Sequence, residues 1–220
     1  MGELFTATRR LAVQELGKWI LRDTFEKAIN YELYKEGAQY RIGRCSAITR
    51  DGSYVFRIWG RSITYPTPPS NILAFRPIPL WRKEVTYAYV IASSKTFNDG
   101  TFLELTLTYN LETSYTWSVR FQPTQGKWKY LNQNGSYVDG TFTYPAQQSG
   151  ESIHYGLVFH PATGKYIALY VRGQRYDIHE LEAYPGKPDW VDTNVFAYGL
   201  WLETDAEVYF DFEEIGVAVL

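Results

Sequence analysis

Apolar and polar residues alternate with a period of two along most of this chain. That spacing puts successive side chains on opposite faces of a strand. Residues 101–109 show it cleanly: Leu103, Leu105, Leu107 and Tyr109 share one face, and Glu104, Thr106 and Thr108 share the other. The pattern predicts a strand with one buried and one wet face. Tyr115, Trp117, Val119 and Phe121 alternate with Thr116, Ser118, Arg120 and Gln122, and the next run adds Trp128 and Tyr130 on either side of Lys129. If Phe121 pairs with Trp128, all six apolar residues lie together as core. Val208, Phe210 and Phe212 alternate with Tyr209, Asp211 and Glu213 near the end, and further strands are predicted at 53–59, 84–91, 155–159, 165–171 and 174–178.

Two stretches break the period. Around residues 8–17, Leu11, Ala12 and Leu16 fall near helical spacing, while Trp19, Ile20 and Leu21 could equally begin a strand. Residues 1–22 are therefore read as an N-terminal arm or short helix, packed on the domain or reaching a neighbouring subunit in a homo-oligomer. Residues 23–220 are read as one β-sandwich domain. Residues 64–79 hold Pro66, Pro68, Pro69, Pro77 and Pro79. So many missing N–H donors predict an extended surface loop. The whole reads as roughly twelve short strands with regular turn signals, an all-β, antiparallel two-sheet sandwich of jelly-roll type.

One phrase occurs twice. Phe121-Gln-Pro-Thr-Gln-Gly-Lys-Trp128 and Phe159-His-Pro-Ala-Thr-Gly-Lys-Tyr166 share Phe-x-Pro-x-x-Gly-Lys-aromatic. Proline ends the incoming strand and glycine supplies the positive φ of a tight hairpin. Asn134-Gly135 marks another hairpin turn. In the second copy Val158, Ile167, Leu169 and Val171 read as core. Tyr155, Phe159, Tyr166 and Tyr170 then point outward, as an aromatic surface for a ligand or a neighbouring subunit.

Composition narrows the function classes. Aromatics make up 17% of the chain, with 19 Tyr and 7 Trp, which suits pleated, half-buried surfaces. The formal net charge is −2 with no basic block, so nucleic-acid binding has no electrostatic support. The single cysteine, Cys45, excludes an internal disulfide and reads as a buried thiol. His154, His160 and His179 make no zinc signature, and no Gly-x-Ser-x-Gly elbow or phosphate-cradling loop occurs. No segment reads as a signal core or a membrane span, which leaves location open.

The Asp-x-Phe-Glu at 23–26, the two Pro-x-x-Gly-Lys-aromatic hairpins, the Gly173 turn followed by Arg-Tyr-Asp and the closing Val-Tyr-Phe-Asp-Phe resemble concanavalin A-like lectin/glucanase jelly rolls and some carbohydrate-binding modules. The resemblance covers about residues 19–220. It implies two packed curved sheets, often a sugar-binding concave face and sometimes a structural calcium, for which Glu26 and Asp211 would be the carboxylates. Asp189, Asp192 and Asn194 offer another oxygen cluster. Glu203-Thr-Asp205-Ala-Glu207 resembles the Glu-x-Asp-x-Glu strand of family 16 glycoside hydrolases, with Glu203 as nucleophile, Asp205 as modulator and Glu207 as acid/base. It also falls where a turn is expected. These features lead to a non-catalytic recognition or assembly sandwich, carbohydrate-binding first. The alternatives are a structural subunit of a larger assembly, such as a virion surface or tail protein, and a glycoside hydrolase. Exported or assembled, such a protein would sit outside the cell or on a virion surface.

Overall fold

The computed structural model describes residues 18–26, 31–46, 54–64, 69–78, 84–110, 113–189 and 191–220. In chain order the strands are β1 (Lys18–Asp23), β2 (Glu32–Glu36), β3 (Ala38–Ser46), β4 (Tyr54–Ser62), β5 (Ser70–Pro77), β6 (Thr86–Ser93), β7 (Thr101–Asn110) and β8 (Ser114–Gln122). They continue with β9 (Lys127–Leu131), β10 (Tyr137–Asp139), β11 (Ile153–His160), β12 (Lys165–Val171), β13 (Gln174–Asp177), β14 (Val195–Leu202) and β15 (Val208–Val219). They form two sheets. One has eight strands in the order β13-β12-β11-β6-β15-β4-β3, with β1 beside the second half of β15. The other has seven, in the order β10-β9-β8-β7-β14-β5-β2. Every pairing is antiparallel. The core lies between the sheets. It is built from the inward members of the alternations, among them Leu103, Leu105, Leu107, Val119, Leu157, Phe210 and Phe212, all fully buried. Each such side chain contributes about 1.5–3 kcal/mol relative to exposure.

The repeated hairpins sit face to face across this core, one per sheet. Phe121 pairs with Trp128 in β8–β9, as the alternation predicts. Trp117 stands 4.7 Å from Phe159, Phe121 4.8 Å from Tyr155 and Tyr130 5.8 Å from Tyr166. Gly126 and Gly164 close their turns at φ +62° and +66°, with each N–H donating to a carbonyl four residues back, on Gln122 and His160. The Asn134-Gly135 turn also forms, Asn132 Oδ1 accepting from the N–H groups of Asn134 and Ser136.

Four expectations need correction. The proline-rich stretch is not all loop: β5 is an interior strand between β14 and β2. Pro77 is its last residue and the other prolines of the stretch lie outside it, leaving Asn71-Ile-Leu-Ala-Phe-Arg with every ladder N–H intact. The boundary at residue 22 falls inside the sandwich, because β1 pairs with β15 from Lys18 to Asp23; residues 1–17 lie outside the described residues. The face of β7 expected to be wet is buried, Glu104 to 4% exposure and Thr108 completely. The second hairpin departs from expectation in part: Leu169 and Val171 are core and Tyr170 lies on the outer side as expected, but the other aromatic rings turn inward. Tyr155, Phe159 and Tyr166 are 0% exposed in the core, with Val158 and Ile167 on the outer side. A β-bulge causes part of this: Val158 pairs with Ala168 but Phe159 with Tyr166, so Ile167 is unpaired. The extra residue breaks the period-two count, and Tyr166 joins Leu169 and Val171 inside.

Candidate functional site

The outer face of the seven-stranded sheet carries the side chains left over from the core alternation. Cross-strand register aligns them in rows. One row runs Asp139, Lys129, Arg120, Glu104, Gly199, Leu73 and Tyr34, crossing every strand from β10 to β2. The next includes Phe102, Trp201, Asn71 and Glu36 on β7, β14, β5 and β2.

A buried ion pair anchors these rows. Arg120 Nε donates to Glu104 Oε2 at 2.8 Å, with both side chains nearly enclosed, at 7% and 5% exposure. The other carboxylate oxygen lies 3.0–3.2 Å from the hydroxyls of Tyr137, Thr106 and Ser118. Those hydroxyls also bond one another, Thr106 to Ser118 at 2.6 Å and Ser118 to Tyr137 at 2.7 Å. Removing two opposite charges from water is offset only by such close geometry and by satisfying the remaining lone pairs.

Two aromatic rings sandwich the guanidinium. Its Cζ stands 3.3 Å from the centroid of Tyr137 and 3.3 Å from that of Trp201, with the rings stacked at 30° and 6.3 Å apart. Such cation–π contacts strengthen as water is excluded. The Trp201 indole N–H donates to Glu203 Oε1 at 3.1 Å, and Lys129 Nζ lies 4.0 Å from the same oxygen. Trp201 and Tyr137 are both half-buried, so each ring keeps some solvent-facing surface. Beside Trp201, the Asn71 side-chain oxygen is buried without a hydrogen-bond partner. Burial and the neighbouring Glu104 carboxylate raise the Tyr137 phenol well above the ordinary tyrosine value. It therefore holds its proton and donates, a positioning group rather than a base.

The sequence-predicted candidates lie elsewhere. Tyr155, Phe159 and Tyr166 are core, and Tyr166 uses its hydroxyl to bond Ser118 and Leu131 backbone. A fully buried ring has no face to offer a ligand. Tyr170 is on the outer face of the other sheet, 5.6 Å from Tyr87, within an apolar cluster that includes Tyr89, Ile91 and Val158. Glu203, Asp205 and Glu207 fall on the turn between β14 and β15, not along one strand, so period-two alternation does not align them. Asp211 gives both oxygens to Arg57, at 2.6 and 2.8 Å, while Glu26 accepts from the Tyr54 N–H. Asn194 and Asp192 tie their loop to Asn110. Among the described residues no group of three or more His, Cys, Asp or Glu side chains converges as a metal site. Cys45 is half-buried on edge strand β3.

The Glu104 cluster was missed because its members read as ordinary polar alternation. The available signal was opposite charge at cross-strand positions, Glu104 and Arg120, together with a Trp of outward parity in β14.

No protein-family model matches the chain, and no curated protein matches it in sequence. Solved structures do resemble it. An endo-β-1,4-glucuronan lyase from the fungus Trichoderma reesei aligns over 93% of this chain and 94% of its own, with TM-score 0.61 and 11% identity. Cellulose induced protein Cip1 aligns over 90% and 96%, with TM-score 0.57 and 9% identity. A carbohydrate esterase from Shiga toxin-encoding bacteriophage phi24B aligns over 85% and 89%, with TM-score 0.52 and 7% identity. At such identities the likeness is one of fold, and the fold of this chain is the concanavalin A-like jelly roll.

Proposed function

We propose that this protein is a non-catalytic carbohydrate-binding β-sandwich whose ligand lies on the outer face of the seven-stranded sheet, against Trp201 and Tyr137. The observation that carries the reading is Trp201 itself. It is apolar, placed with outward parity, fixed by Arg120 and Glu203, and adjacent to the unpartnered oxygen of Asn71. An indole immobilised in advance stacks on a sugar's C–H face at low entropic cost. The fold-level likeness to a glucuronan lyase and a carbohydrate esterase supports a carbohydrate as ligand class by analogy. The turn position of Glu203, Asp205 and Glu207 gives hydrolysis no equivalent support.

A structural-subunit role has its own observation: Ile42 on edge strand β3 and Ile63 just after β4 are exposed, Ile63 at 60%. Among the described residues no helix is long and apolar enough to cross a membrane.

The test is affinity electrophoresis in gels containing soluble polysaccharides, wild type beside Trp201→Ala. Retardation by at least one polysaccharide, lost in Trp201→Ala at unchanged melting temperature, is the expected result. No retardation by any glycan, together with a stable oligomer on sizing chromatography, would transfer the assignment to assembly.

A further inference from the structure

We propose that the glycan recognised on this face is uncharged, and that Glu104 is the specificity-determining residue that keeps acidic polysaccharides out. This rests on the carbohydrate reading above and adds the chemical class of the ligand. A polyuronate carries one carboxylate per sugar, and binding it requires cations with free donors. Among the described residues Arg120 is the cation at the centre of the face, and Glu104 compensates its charge. Its Nε donates to Glu104, aromatic rings cover both sides of the guanidinium, and the side chain is only 7% exposed. The two lysines nearby do not reverse this. Lys129 lies 4.0 Å from Glu203 and shares its row with exposed Asp139. Lys127 is exposed at the hairpin edge. At the β2 end of the face Glu36 pairs across with the uncharged Asn71. A uronate carboxylate arriving at Trp201 therefore meets Glu203 on the indole N–H and the compensated Arg120 behind the ring. Neutral hydroxyls meet what the face does offer: the Glu203 carboxylate and the stacking rings.

Glu104 touches no ligand in this account. It acts through Arg120, so its test must read charge selectivity and not binding alone. Full-length protein is titrated by calorimetry with soluble neutral β-glucan and with sodium alginate, at low and high salt, as wild type and Glu104→Gln. Wild type is expected to bind the neutral glucan at least about tenfold more tightly than alginate, with an affinity that hardly changes with salt. In Glu104→Gln the uncompensated Arg120 should narrow that ratio about tenfold and make alginate binding weaken as salt rises. Wild type that binds alginate as well as or better than the neutral glucan overturns this inference and leaves the carbohydrate reading standing. An unchanged ratio in a folded Glu104→Gln removes Glu104 from the role. If Glu104→Gln does not fold, the wild-type ratio and salt dependence decide. Failure of both polymers to bind wild type overturns the carbohydrate reading and this inference together.

Discussion

Arg120→Met should destabilise the protein by about 3 kcal/mol, because it leaves the Glu104 carboxylate buried without its cation. Breaking a buried pair by removing one partner typically costs ~3–5 kcal/mol. The lower end applies because three hydroxyls still surround Glu104 Oε1 and methionine refills much of the space between the rings. Loss of the two ring contacts adds a smaller amount, up to about 1 kcal/mol each. At this chain length the loss of about 3 kcal/mol alone corresponds to a fall of roughly 6–12 °C in melting temperature. Urea unfolding followed by tryptophan fluorescence is a direct assay, since Trp117 and Trp128 are buried in the core. The control is the double variant Arg120→Met/Glu104→Gln, which buries no unpaired charge and should recover about 2 kcal/mol of the loss. A single variant within about 0.5 kcal/mol of wild type would refute the reasoning, as would a double variant no more stable than the single.

Two further measurements bear on the rest of the molecule. Gly164→Ala should cost more than Gly173→Ala. Both glycines have positive φ, +66° and +82°, which costs an L-residue about 1–2 kcal/mol. A Cβ at Gly164 would also lie 2.4 Å from the Tyr115 ring, whereas one at Gly173 meets nothing within 4 Å. Equal melting temperatures would show that Tyr115 moves freely aside. Stability should also fall in alkali. Burial raises the phenols of Tyr155, Tyr166 and Tyr198 well above the ordinary value of about 10. Their contribution is complete below that value. It is lost as pH rises from there toward the folded-state values, because the unfolded chain gives up protons that the folded chain keeps. Melting curves with phenolate absorbance from roughly pH 9 to 12 should show these tyrosines ionising only with unfolding; ionisation in the folded protein would contradict their burial.

The fold was legible where alternation was regular. Leu103, Leu105 and Leu107 in β7, and Trp117, Val119 and Phe121 in β8, go where period two places them. Legibility failed where one residue interrupted the count. The unpaired Ile167 puts Tyr166 inside and Ile167 outside, and no residue type in Lys165-Tyr-Ile-Ala-Leu announces that bulge. Composition misled in β5, where a high local proline count concealed a proline-free strand interior. The site failed for a different reason. Glu104, Thr106, Ser118 and Arg120 carry the same polar parity as a solvated face, and only the covering rings of Tyr137 and Trp201 convert that face into an enclosed network.

That conversion explains why an aromatic-rich chain needs so few rings at its candidate site. Most of its large rings follow inward parity and close the sandwich, as the Trp117–Phe159 and Phe121–Tyr155 contacts do. Trp201 breaks the rule. Its neighbours Leu200 and Leu202 point into the core, so a tryptophan at 201 must stand on the polar face. An indole there needs a partner, which Arg120 provides, and a buried Arg120 needs an anion, which Glu104 provides. The dependence runs from the ring down to the carboxylate. Each link is therefore set by the fold before any ligand arrives.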